Sequence, residues 1–149
     1  MMLTPEEARA FMEKPFAFVA RAGVKALAME PRRIKLLLPL EGNINHIGSI
    51  YAGALFTVAE LPGGALFLTT FDVVRFYPVL KAMQIRFRRP AFTDVTVDAS
   101  LTEEEAQRIA EEAERLGKSE FTLNVEVRDA NDHVVAETEG IYQLRKTET

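Results

Sequence analysis

Cysteine and tryptophan are missing from all 149 residues, and histidine occurs only twice, as His46 and His133. Without cysteine there is no disulfide, no thiolate metal site and no Cys nucleophile. Two histidines are too few for a His-rich zinc centre, so no metal is expected, although count alone leaves a carboxylate-rich Mg or Ca site open. An excess of basic charge is also missing: 18 Lys and Arg stand against 22 Asp and Glu, a net charge of −4. A polyphosphate partner requires a concentrated basic face, and the only dense one is Arg86, Arg88 and Arg89, so no nucleic-acid partner is expected. The chain opens Met1-Met2-Leu3-Thr4-Pro5-Glu6-Glu7, with no basic segment before an apolar one, so no secretory signal is read and a cytoplasmic location is expected. Neither a Gly-x-x-x-x-Gly-Lys phosphate loop nor a dinucleotide fingerprint is present.

Hydrophobic residues make up 48% of the chain, enough for one domain of this length to build a single core without covalent staples. Residues 47–71 are almost wholly apolar and as long as a membrane span, which takes about 20 residues. Glu60 near the middle, then Pro62, Gly63 and Gly64, with no flanking Lys or Arg cluster, argue instead for a helix buried in a soluble core and against a membrane partner.

Thr4, Pro5 and Glu7 form a Thr-x-x-Glu capping box with proline at the first helical position, which predicts a helix ending near Pro15 and then a linker over 16–23. Residues 24–30 and 33–40 read as strands of a hairpin turning at Pro31 and Arg32. The loop at 41–48 is rich in turn formers, and Ser49 is the expected N-cap of the long apolar helix, whose first turn would be 49–53. Strict alternation predicts a strand over 79–89, with Val79, Lys81, Met83, Ile85 and Phe87 on one face and Leu80, Ala82, Gln84, Arg86 and Arg88 on the other. A strand through Val95, Val97 and Ala99 leads to a second capping box, Thr102 with Glu105, and a helix to about Leu116 that Gly117 can end. That helix is expected to bury Ala106, Ile109, Ala110, Ala113 and Leu116 and to pair Glu111 with Arg115 on its wet face. Strands at 121–128 and 134–144, joined by a turn at 129–132 with His133 beside it as a further turn residue, complete the chain. Helices do not separate every pair of strands, so the expected fold is α+β, an antiparallel six-stranded sheet around a central apolar helix.

The segment from Asn45 to Glu60 concentrates the chemistry. Free N–H groups at a helix start polarise a carbonyl oxygen, and small Ala52 and Gly53 let a substrate approach that backbone. Glu60 lies eight residues beyond Ala52, about 12 Å along the axis, so one chain cannot bring both to one small group. A second copy of the chain could supply its Glu60 to the first copy's helix start.

The run Asn45-x-x-Gly48-x-x-Tyr51-Ala52-Gly53-x-x-x-x-Val58-Ala59-Glu60 resembles the signature of hotdog-fold acyl-CoA thioesterases of the phenylacetate-pathway type, Asn-x-x-Gly-x-x-His-Gly-Gly-x-x-x-x-Leu-Ala-Asp or Glu, in unbroken register. The strand Gln84-Ile85-Arg86-Phe87-Arg88-Arg89-Pro90-Ala91 is similar to the strand after the central helix in that superfamily. Tyr51-Ala52-Gly53 replaces His-Gly-Gly, and Leu61-Pro62-Gly63-Gly64 follows Glu60 where an unbroken helix is usual, which looks closer to a branch of mostly unassigned function.

The resemblance implies a single hotdog domain over 1–149, with a helix and linker over 1–22 and the core over 23–145. It implies hydrolysis of an acyl-CoA or acyl-carrier thioester with a hydrophobic acyl or aryl group, no cofactor, and a homodimer or homotetramer with its site at the subunit interface. Ala52 and Gly53 would supply oxyanion amides, Glu60 the general base or nucleophile, and Asn45 would orient the water or the acyl group. Gly48 and Tyr51 would line the pocket, and Arg86, Arg88 and Arg89 would meet the phosphates of coenzyme A. Plainer readings stand beside these: a lone Glu can be a structural carboxylate, and an Arg-rich strand a solvated face. Two other functions fit the same fold: a non-catalytic acyl-CoA or fatty-acid binding module, and a hydratase, for which His46 would be essential.

Overall fold

Local hydrogen-bond signatures place the first and last helices. Thr4 and Glu7 exchange backbone and side-chain bonds of 2.8 and 3.2 Å ahead of α1 (Pro5–Glu13). The computed structural model describes residues 1–13 and 16–148; the expected helix end near Pro15 falls outside them. The expected linker after it is in fact a second short helix, α2 (Ala17–Ala22), closed by Gly23 in the left-handed region at φ 75°. It carries no side-chain cap and spans under two turns, too short for a periodicity to register.

Strands β1 (Lys25–Glu30) and β2 (Arg33–Leu38) form the expected hairpin, Arg32 taking φ 65° in its turn. After the loop come α3 (Ala52–Thr70), β3 (Phe76–Phe87), β4 (Val95–Ser100), α4 (Glu103–Leu116), β5 (Lys118–Asp129) and β6 (Val134–Lys146). The six strands form one antiparallel sheet in the order β1-β2-β4-β5-β6-β3, leaving β1 and β3 as edges. Helix α3 packs across β1 to β6, and 13 of its 19 residues are buried there, which accounts for its membrane-like composition. A six-stranded antiparallel sheet around a long apolar helix is the hotdog arrangement.

Helix α4 has the full capping box at Thr102 and Glu105 and ends at Gly117 with φ 83°. It buries Ala106, Ile109 and Ala113, but Leu116 is exposed. Its ion pair joins Arg108 to Glu112 at 3.1 Å in place of the expected Glu111 and Arg115, while Glu111 accepts from Gln107.

Two corrections bear on the site. Pro62 does not break α3; the helix runs through it. Proline inside a helix costs about 3 kcal/mol, and here the sheet packed around α3 offsets that cost. The second lies in β3, whose pairing with β6 slips between Leu80 and Ala82. The extra residue, Lys81, shifts the alternation, so Pro78 and Leu80 before the bulge and Met83, Ile85 and Phe87 after it face the same side as the buried positions of β6. The expected face that joined Val79 and Lys81 to Met83 therefore does not exist.

Candidate active site along the open face of α3

One stripe of α3 remains uncovered. Gly53, Phe56, Glu60 and Gly64 are part or fully exposed, with Ala52 at the start, while the residues between them are buried. Steps of three and four residues put these positions on one helical face. The open stripe therefore begins at the helix N-terminus and passes over Glu60.

The helix is capped two residues later than expected, at Tyr51 in place of Ser49. Asn45 captures Ser49: its Oδ1 accepts from the Ile47 and Ser49 amides at 3.0 and 3.1 Å, and its Nδ2 donates to Ser49 Oγ at 2.9 Å. Gly48, at φ 85°, completes this knot by donating to the Asn45 carbonyl. Ser49 is thus spent inside the loop, and the N-cap is Tyr51, in extended backbone at φ −59° and ψ 137° with no side-chain cap bond. The Ala54 and Leu55 amides bond the Tyr51 carbonyl, leaving those of Ala52 and Gly53 without an acceptor among the described residues. Two adjacent N–H groups at the positive end of a 19-residue helix form a site for an oxyanion. The Tyr51 ring lies over Gly53, where a built Cβ would come within 2.5 Å of it, so a side chain at 53 would displace the ring.

Asn45 is accordingly a loop organiser rather than a group aimed at a substrate. Asn45→Ala removes three side-chain hydrogen bonds and is expected to cost about 1–2 kcal/mol, read as a lower urea midpoint. An unchanged midpoint would show that the knot does not hold the loop.

Glu60 lies at the middle of the stripe, and burial alone pushes its carboxyl above the usual carboxylate range. Beside it stands a residue that sequence reading missed. Tyr142 of β6 donates through its hydroxyl to the Glu60 carbonyl at 2.8 Å, and its ring stacks on Phe121 at 5.5 Å between centroids. Burial first, then the Glu60 charge, raises its pKa well above the ordinary tyrosine value. The ring fits because position 63 is glycine: a Cβ there would sit 2.1 Å from Tyr142 Cε1. The only advance signal was the glycine pair after Glu60; Tyr142 itself lies 82 residues from Glu60.

Glu60 and Tyr142 share the wall of a cavity of about 500 Å³ with Phe11, Phe16 and Phe18 of the N-terminal segment, Gly64 of α3 and Leu80 of β3. Arg86 and Arg88 are not part of it. They alternate with Ile85 and Phe87 and so project from the other face of the sheet, where Arg86 lies opposite Glu137 and Arg88 pairs with that carboxylate. Arg89 is exposed two residues beyond the end of β3. The structure thus brings Ala52, Gly53 and Glu60 to one face and leaves the arginines away from it within the chain. His46 is exposed in the loop, and His133 lies in the turn before β6, 3.5 Å from Asp129. Among the described residues no three His, Asp or Glu side chains converge as metal ligands.

A family described as "Domain of unknown function (DUF4442)" matches residues 7–142. The crystal structure of a Pseudomonas aeruginosa protein of unknown function, PA5026, carrying the description "Probable Thioesterase", is similar at 51% identity and a TM-score of 0.93 over 99% of both chains. Two more distant structures share the fold. The Chlorobaculum tepidum protein OLEI01261, of unknown function, has 19% identity and a TM-score of 0.83 over 97% of this chain and 98% of its own. The Haemophilus influenzae thioesterase HI1161 has 14% identity and a TM-score of 0.72 over 98% and 93%. Comparison with curated proteins finds no match.

Proposed function

The chain belongs to the DUF4442 family, and from that premise we propose that it is a thioesterase that hydrolyses an acyl-CoA or acyl-carrier thioester with a hydrophobic acyl or aryl group. The observation that carries this reading is the open stripe of α3, on which two free helix-start amides and a half-buried carboxylate share one face. The description of PA5026 as a probable thioesterase supports the same reaction class.

In this reading Glu60 takes a proton from water as the water oxygen attacks the thioester carbonyl carbon. The carbonyl oxygen becomes an oxyanion held by the Ala52 and Gly53 amides. Collapse re-forms the carbonyl and breaks the C–S bond, and Glu60 returns the proton to the departing thiolate. The products are a carboxylic acid and a thiol.

The two halves of this machinery sit too far apart along one helix, about 12 Å, to act on one carbonyl. A dimer resolves the separation by presenting Glu60 of one copy to the helix start of the other. Strand β3 is suited to join them: it is a sheet edge of 12 residues, with Tyr77 and Phe87 exposed. Past the Lys81 bulge the edge over 82–87 is a pairing template, and a two-fold pairing of like edges closes at two copies.

The pKa shift sets opposite pH dependences for activity and stability. Hydrolysis requires ionised Glu60, so the rate rises with pH through a midpoint above the ordinary 4.5 and then levels off. The folded state holds the Glu60 proton to higher pH than the unfolded chain does. Stability is therefore lost as pH climbs from 4.5 through the folded-state midpoint. Glu60→Gln is expected to melt above the wild type at pH 8 and to converge with it below pH 4.5. Thermal denaturation at both pH values checks this; a variant less stable at pH 8 would mean that a partner holds the carboxylate.

The direct test of function is thiol release from short, medium, long and aromatic acyl-CoAs. Turnover of at least one is expected. Binding of several members with no turnover of any would replace the enzyme by a binding module.

A further inference from the structure

The cavity beside Glu60 is not symmetrical in its chemistry. Its polar lining residues are Glu60 and Tyr142; the rest is apolar, with aromatic rings from the N-terminal segment and Leu61, Phe67 and Leu68 of α3. Phe11 and Phe16 meet edge to face at 6.4 Å, so the N-terminal segment contributes a packed aromatic wall rather than scattered side chains. One lining residue carries no side chain. Gly64, a turn beyond Glu60 on the open stripe, would carry its Cβ into open space, with no atom within 4 Å. Gly63, its neighbour, is required to be small by the Tyr142 ring; Gly64 meets no such neighbour. Glycine in a helix interior is unfavourable relative to other residues, so its presence here costs stability without relieving a clash.

We propose that this cavity is the acyl-chain site, that it takes a medium-length unbranched acyl group, and that the missing side chain at Gly64 sets the length it accepts. The choice of a thioester acyl group as occupant rests on the thioesterase reading above. A volume of about 500 Å³ lies within the usual range for small-molecule sites and, packed at interior density, accommodates a chain on the order of ten carbons. Among the described residues no Lys or Arg lines the cavity, and Glu60 is its one acid. A free fatty acid would therefore bring its carboxylate against Glu60 with no cation among the described lining residues to meet it, whereas the thioester is neutral at that point. The same arrangement favours release of the carboxylate product. The chain would enter past Glu60 and run along Gly64 toward Leu68, under the aromatic wall.

Gly64→Leu tests the proposal without endangering the fold, because leucine is the better helix former and its Cβ meets no atom. Its melting temperature should equal or exceed that of the wild type. In steady-state assays the ratio of kcat/KM for decanoyl-CoA to that for butyryl-CoA is expected to fall at least tenfold in the variant. An unchanged ratio would overturn the proposal, and is what a second copy of the chain filling the cavity would give. Calorimetric binding of decanoyl-CoA in the Glu60→Gln background, with and without Gly64→Leu, separates this site from the activity. Binding that Gly64→Leu weakens at least tenfold, in a protein whose wild type turns over no thioester, upholds the cavity and overturns the thioesterase reading alone. Turnover of short or aromatic thioesters with no binding of decanoyl-CoA overturns the cavity alone. In a third arm, decanoate should bind Glu60→Gln more tightly than the wild type at pH 8; equal affinities would contradict the exclusion of the free acid.

Discussion

Replacing Glu60 by Gln is expected to lower thioester hydrolysis by about 10²–10⁴-fold, the range for loss of a general base, while leaving the fold intact. The substitution keeps the shape of the side chain and removes only its ability to accept a proton from water. The carbonyl of residue 60, which receives the Tyr142 hydroxyl, is unaffected, so the link between α3 and β6 persists. The loss should fall on kcat with little change in KM, because the carboxylate acts on water rather than holding the acyl chain. A variant that keeps more than a tenth of the wild-type rate at pH 8 would remove Glu60 from the chemistry and leave it as a structural acid.

Ala52→Pro attacks the other half of the site, at the atom that is proposed to matter. Proline is well tolerated at the first position of a helix, and Ala52 occupies it. The residue before a proline must be extended, and Tyr51, at φ −59° and ψ 137°, already is. The Ala52 amide has no acceptor among the described residues, so removing it breaks no hydrogen bond. The variant is therefore expected to be as stable as the wild type and to lose about 10²–10³-fold in kcat, the usual consequence of deleting one oxyanion donor. Ala52→Ser, which keeps the N–H group, should stay near wild-type activity. If proline and serine behave alike, the helix-start amide is not the oxyanion donor.

Much of the fold was legible because its signals are local. Both Thr-x-x-Glu boxes and the Pro31-Arg32 hairpin are set by residues within three or four positions of one another. Alternation alone identified β3, β4 and β5. The errors have equally specific causes. Ser49 has a good capping side chain, but Asn45 takes it first, so the helix start moved to Tyr51, which has none. A single unpaired residue in β3 reversed half of a correctly recognised strand, since a bulge leaves no trace in an alternating pattern. Pro62 looked like a break because propensity is a local quantity, and the packing that holds the helix together around it is not.

The site was legible to the same degree. Register alone placed Ala52, Gly53 and Glu60, and the structure puts all three on the open stripe. That stripe was also visible in principle: on a helix apolar all round, positions 53, 60 and 64 put two glycines and the helix's one charged residue at helical spacing. Tyr142 was not, since nothing near it in the chain refers to Glu60. The arginines of β3 were assigned to the site by their type, yet strand parity sends Arg86 and Arg88 to the opposite face, where Glu137 answers them.

The central claim is that one catalytic site is assembled from two copies of the chain, the amides of one and the carboxylate of the other. Mixing the two inactive variants tests it most directly. Glu60→Gln and Ala52→Pro proteins are unfolded together, refolded as a mixture, and assayed against each variant refolded alone. Random pairing makes half of the dimers mixed, and each mixed dimer carries one site with an intact amide and an intact carboxylate, so activity should return to about a quarter of the wild-type value. A mixture no more active than its components would place both groups of each site in one chain and contradict the shared site.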